Sequence, residues 1–111
     1  MAMIEKCYFQ QTLTGTNSVV MVTGETNASI IIRNIHLCNI SGTALNYNLY
    51  FNITGGSSFT TGQMLLRSGE LNPYEAFSYD RLISFYSTGS LGIQASLGNQ
   101  LTVTVFGASL T

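Results

Sequence analysis

The sequence predicts an all-β fold, a single antiparallel β-sandwich, jelly-roll-like, of eight or nine short strands. Three observations predict it. Leu45, Tyr47, Leu49, Phe51 and Ile53 alternate with Asn46, Asn48, Tyr50 and Asn52, the period of a strand with one dry face and one wet face. β-Branched and aromatic runs recur at a spacing of roughly 8–12 residues, divided by clusters of Gly, Asn, Ser and Thr. No segment keeps a 3.6-residue apolar period over the length of a helix. At 111 residues the chain is read as one domain, 1–111, large enough for one core and too short for two.

Taken in order, residues 1–6 read as a flexible or partner-bound arm. Cys7 to Leu13 and Ser18 to Thr23 are short strands, set off by the turns Thr14-Gly15-Thr16-Asn17 and Gly24-Glu25-Thr26-Asn27. In the run from Ala28, Ile30 and Ile32 share one parity and Ile35 and Leu37 the other. One residue near Arg33-Asn34 must therefore be absorbed in a β-bulge, which keeps all four inward and turns Arg33, His36 and Cys38 to the other face. After the turn cluster Ile40-Ser41-Gly42-Thr43 comes the alternating run from Ala44 to Thr54, expected to close a hairpin with the preceding strand. Gly55 to Gly62 is polar and glycine-rich, and reads as a long mobile loop. Gln63 to Arg67 is a strand closed by Ser68-Gly69, and Leu71-Asn72-Pro73-Tyr74-Glu75 is a turn around the only proline. Ala76 to Tyr79, the Asp80 to Phe85 run, Leu91 to Leu97 and Leu101 to Phe106 complete the strands. The inner set is Leu45, Tyr47, Leu49, Phe51, Leu91, Ile93, Leu101, Val103 and Val105, each worth roughly 1.5–3 kcal/mol when fully buried.

Charged residues are 8% of the chain and the formal net charge is −1, against roughly 25% charged in an ordinary soluble protein. Asn, Gln, Ser, Thr and Gly must cover the wet faces, and such a surface associates readily because little hydration has to be stripped from it. Lys6, Arg33, Arg67 and Arg81 are scattered, so no basic patch suits nucleic acid. Neither a signal peptide nor an apolar run of about 20 residues is present, so no membrane partner is expected and the product is read as cytosolic when made. Cys7 and Cys38 are then free thiols, and the Asn-x-Ser/Thr triplets at Asn27, Asn39 and Asn52 are read as unglycosylated.

Candidate chemistry is sparse. His36, Cys38 and Cys7 could be written as a three-ligand metal site, but the spacing fits no zinc pattern and a structural zinc takes four ligands. Asp80 with His36 lacks a paired nucleophile, and Glu70 with Glu75 lies in a turn region, so no enzyme, metal or cofactor is assigned. The candidate protein-contact surface is Asn46, Asn48, Tyr50, Asn52, Tyr74 and Phe106. Outward Tyr50, Tyr74 and Phe106 are contact anchors in this reading. The alternative is a glycan or receptor-binding module in which they stack on sugars.

The string Ile32-Arg-Asn-Ile-His-Leu-Cys-Asn-Ile-Ser-Gly-Thr-Ala44, then Leu49-Tyr50-Phe51, Leu71-Asn-Pro-Tyr-Glu75, Ser78-Tyr-Asp80 and Gln100-Leu-Thr-Val-Thr-Val-Phe-Gly107, resembles small β-sandwich virion proteins of tailed bacteriophages over about Val19 to Gly107. That resemblance implies a non-enzymatic virion structural protein. Its form would be a capsid decoration (cement) protein bound to the major capsid protein as a symmetric homo-oligomer, with a trimer favoured, or else a neck or tail accessory protein. The chain departs from the family at Tyr74, where a Gly stands between Pro and Glu.

Overall fold

The computed structural model describes residues 3–111, and Met1 and Ala2 of the expected arm lie outside them. The strands are β1 (Met3–Thr12), β2 (Val19–Thr23), β3 (Ser29–Asn39), β4 (Leu45–Asn52), β5 (Met64–Leu71), β6 (Ala76–Tyr79), β7 (Ile83–Tyr86), β8 (Ser90–Ala95) and β9 (Leu101–Leu110), with one 3₁₀ turn at Thr61–Gln63. One sheet has the order β1-β9-β3-β6, with β7 also on β3. The other has the order β2-β8-β4-β5.

The pairing has a simple logic. β4 pairs with β5, β3 with β6 and β7, β2 with β8, and β1 with β9, all antiparallel. The chain is thus one long hairpin bent at the β4–β5 connection and rolled up, so that β9 also meets β3 and β8 also meets β4. That is the jelly roll, which leaves edges only at β1, β2, β5 and the β6/β7 pair.

Two expectations change. The expected hairpin between β3 and β4 is absent: β3 belongs to the first sheet and β4 to the second, so Ile40 to Ala44 crosses between layers. Residues 3–6 are a paired strand and not an arm, since Met3 to Lys6 lie opposite Leu110 to Gly107.

The core is the set that alternation selected. Ile30, Ile32, Ile35, Leu37, Leu49, Leu91, Ile93, Leu101, Val103 and Val105 are fully enclosed, and Phe51 packs against them. The phase change in β3 is resolved at Arg33: Ile32 faces Gly107 and Asn34 faces Phe106, leaving Arg33 as the extra residue. β1 does the same on the other side of β9, with Tyr8 extra between Cys7 and Phe9. Two bulges therefore flank β9 at the level of Phe106. Gly107 is needed there, because a methyl group on it would lie 2.3 Å from the carbonyl oxygen of Ile31.

β5 runs past Ser68-Gly69 instead of ending there. Opposite Asn48 the register jumps from Gly69 to Leu66, Ser68 takes φ +53°, and its amide donates to Asn48 Oδ1 at 2.7 Å. The bulge admits the Tyr47 ring, which occupies the space a Cβ on Gly69 would need, at 2.5 Å.

Candidate contact surfaces

The six candidate residues fall on three surfaces. Asn46, Asn48, Tyr50 and Asn52 are on the outer side of the second sheet, as their parity requires, but the loop after β4 covers half of that row. Phe59 stacks on Tyr50 with ring centroids 5.2 Å apart. It lies where a side chain on Gly92 would stand, 2.4 Å from the ideal Cβ position. Tyr50 is only 6% exposed, and its hydroxyl donates to Gln94 Oε1 at 2.8 Å. It is a buried platform for the chain's own loop, not a free contact residue.

Asn52, 8% exposed, fastens the same loop. Its Oδ1 accepts from Thr54 N at 3.1 Å and Thr54 Oγ1 at 2.8 Å, and its Nδ2 donates to the carbonyl of Gly55 at 2.6 Å. Ser90 Oγ adds a bond to the carbonyl of Gly56 at 2.8 Å. The Gly55 to Gly62 segment is irregular, as its composition requires, yet it is pinned along the sheet.

Asn39 repeats this device at the end of β3. Its Oδ1 accepts from Ser41 N at 3.1 Å and Ser41 Oγ at 2.8 Å, and its Nδ2 donates to the carbonyls of Thr43 at 2.8 Å and Asn72 at 3.1 Å. The two Asn-x-Ser/Thr triplets at Asn39 and Asn52 are Asx turns that stop strands, with side-chain nitrogens directed into protein. In the sequence they stand out as glycosylation triplets, with Asn52 also a contact candidate.

The uncovered half of the row holds Asn46 and Asn48. With Thr16, Ser68, Gln94 and Ser96 they line an open cleft of about 390 Å³.

Tyr74 stands at one end of the sandwich. The amide of Glu75 donates to the carbonyl of Asn72 at 3.0 Å, Pro73 sits second in the turn, and Tyr74 third at φ +60°. That is the pattern of a type II turn, whose third position favours Gly. Tyr74 is 73% exposed and its amide donates to Ser41 O at 3.1 Å, which brings exposed Ile40 to the same end.

Phe106, 47% exposed, lies on the opposite side of the molecule, on the outer face of the first sheet. Register places Met3, Leu110, Ser29 and Tyr86 in one row of that face, Glu5, Ala108, Ile31 and Ser84 in the next, and Cys7, Phe106 and Asn34 in a third. This half of the outer face is mixed: Met3, Tyr86 and Phe106 are its exposed apolar side chains, set among Ser29, Ser84 and Asn34, with Arg33 bridged to Glu5 at 3.4 Å. The other half carries Thr102, Thr104, Gln10 and His36.

The remaining candidate groups are engaged separately. His36 Nδ1 meets Ser78 Oγ at 3.1 Å, Asp80 Oδ1 accepts from the side-chain Nδ2 of Asn34, and Glu75 Oε1 accepts from Asn72 N at 2.8 Å. Cys38 and Cys7 are free thiols on one sheet face, with β9 between their strands. Two strand spacings of about 4.8 Å separate those strands, beyond the ~7 Å that a disulfide tolerates between Cα atoms. Among the described residues no cluster of three or more His, Cys, Asp or Glu could hold a metal ion, and no helix is long and apolar enough to cross a membrane.

No protein family model and no curated protein matches the sequence. Solved structures match in fold. A protein of the Bacillus endospore appendages, described as "a novel family of disulfide-linked pili", aligns over 99% of this chain and 87% of its own, at 12% identity and TM-score 0.60. A protein in the structure of infectious bursal disease virus, Gx strain, aligns over 97% of this chain at 13% identity and TM-score 0.55. The chain spans about a third of that virus protein, 32%. At such identities the likeness establishes the sandwich fold.

Proposed function

We propose that this chain is a non-enzymatic structural protein of a virus particle, and specifically a capsid decoration protein of a tailed bacteriophage that binds the major capsid protein as a homotrimer. The observation that carries the proposal is Tyr74. A large aromatic ring, mostly exposed, stands at a turn position where glycine would relieve the backbone, a cost of about 1–3 kcal/mol that the approach of its hydroxyl edge to Gly42 does not offset. A partner surface that takes the ring does. The exposed side chains of Met3, Tyr86 and Phe106 on the outer face of the first sheet offer a second contact area, and the scarcity of charge lowers the desolvation cost of covering either one. A jelly roll aligned with a virus protein fits this reading.

The test is reconstitution. Particles made without the chain should recover heat resistance when the purified protein is added, and Tyr74→Gly should prevent that recovery. Failure of the protein to co-sediment with particles overturns the proposal. A neck or tail position is the runner-up and differs in copy number.

A second reading is a filament subunit, favoured by the nearly full-length alignment with the endospore appendage protein. Cys7, exposed on the edge strand β1, would then bridge between chains. Non-reducing electrophoresis of native assemblies separates the two: a ladder collapsed by a thiol reductant supports filaments, and a single monomer band supports the capsid reading.

A further inference from the structure

The cleft on the outer face of the second sheet has the chemistry of a binding site that contact anchoring leaves unused. Its floor is a fixed network. Gln94 Oε1 accepts from the Tyr50 hydroxyl at 2.8 Å and faces Asn48 Nδ2 at 3.4 Å. Gln94 Nε2 donates to the carbonyl of Thr16 at 3.0 Å, and Asn48 Oδ1 holds the amide of Ser68. Both amides are thereby locked in orientation. Beside them the Asn46 side chain has no hydrogen-bond partner among the described residues, and Thr16, Ser68 and Ser96 line the same space.

No charged side chain lines the cleft, so it offers nothing to a phosphate, a sulfate or a metal ion. It presents donors and acceptors side by side, the arrangement that vicinal hydroxyl groups satisfy, since each hydroxyl both donates and accepts. The volume, about 390 Å³, is within the roughly 300–1,000 Å³ of small-molecule sites.

We propose that this cleft binds a neutral saccharide. The proposal is independent of the capsid reading, because it needs neither Tyr74 nor assembly. The Phe59–Tyr50 stack buries the nearest aromatic ring, so the sugar is held by hydrogen bonds without a stacking platform and binding is weak, on the order of 1 mM.

The test is a nuclear magnetic resonance titration of the isotope-labelled chain with glucose, galactose, mannose and N-acetylglucosamine, with triglycine and inorganic phosphate as comparison probes. At least one sugar should shift the side-chain amide signals of Asn46, Asn48 and Gln94 and saturate. Asn46→Ala should weaken that binding about tenfold, a change of about 1.4 kcal/mol, with the unfolding midpoint unchanged. If that variant does not fold, Asn46→Asp, which keeps the size and loses the donor, serves in its place. The proposal is overturned if none of the four sugars shifts these signals at about 50 mM, well above that affinity. It is equally overturned if triglycine or phosphate binds there more tightly than every sugar, or if the folded Asn46 variant binds unchanged.

Discussion

Replacing Asn39 by Leu tests the polar knot that ties the end of β3 to the β5–β6 turn. The side chain is 0% exposed, and Leu nearly matches its shape, so the change isolates hydrogen bonding from volume. Two well-made bonds from Nδ2, to the carbonyls of Thr43 and Asn72, are lost, together with the bond that satisfies the Ser41 amide. Ser41 Oγ keeps an alternative in Gln100 Oε1 at 2.7 Å. Three bonds at about 1–1.5 kcal/mol each give a loss of about 3–4 kcal/mol, a large part of the roughly 5–15 kcal/mol that holds a domain of this kind together. Asn39→Asp adds a sign. The carboxyl group keeps the Ser41 contacts but sets its other oxygen against two carbonyls, so its folded pKa rises above the ordinary carboxylate value. The variant is then least impaired below about pH 4, and loses stability as pH rises through the raised value. Urea unfolding followed by circular dichroism at acid and neutral pH reads both effects. A loss below about 1 kcal/mol for Asn39→Leu, or no pH dependence for Asn39→Asp, would refute the knot.

Gly107→Ala drives a methyl group into backbone at Ile31 and should cost at least about 3 kcal/mol or prevent folding, read as loss of the thermal transition. Phe59→Ala removes the ring stacked on Tyr50 and should speed proteolytic cutting within Gly55 to Gly62, while global stability falls by only about 1–2 kcal/mol. Tyr74→Gly relieves about 1–3 kcal/mol of backbone strain against about 0.5–1 kcal/mol of added chain entropy, so the midpoint of thermal unfolding should hold or rise, by up to about 2 kcal/mol in stability, while particle binding is lost. Burial raises the Tyr8 and Tyr47 hydroxyl pKa values above 10.0, and the hydrogen bond to Glu25 raises Lys6 above 10.5. All three favour the protonated form in the folded state. Their contribution is complete below about pH 10 and lost above it, so stability measured by urea unfolding should decline from pH 10 upward.

The strands were legible because their cause is local. Alternation from Leu45 to Phe51 and the parity change around Arg33 each record which side of a sheet faces the core, and the structure agrees residue by residue. What crosses the chain was not legible. Nothing within Ala28 to Thr54 tells that β3 and β4 part into different layers, since that follows from β9 and β8, roughly 40–80 residues on in the chain, filling the positions beside them. The wet face of β4 was read correctly as polar, but its Tyr50 to Asn52 half is not free, because its cover is Phe59, whose docking depends on the absence of a side chain at distant Gly92. A signal for the Asx turns was present in sequence: Asn-x-Ser and Asn-x-Thr each fall where an apolar alternation stops. Tyr74 was noticed as a departure from a Gly, and its positive φ explains why that position matters.

The most direct measurement of the central claim is the copy number of the chain in purified particles, by densitometry against the major capsid protein. The account predicts hundreds of copies, in a fixed ratio to the shell subunits. A stoichiometry of roughly a dozen or fewer would move the chain to the neck or tail, and absence from the particles would contradict a virion role altogether.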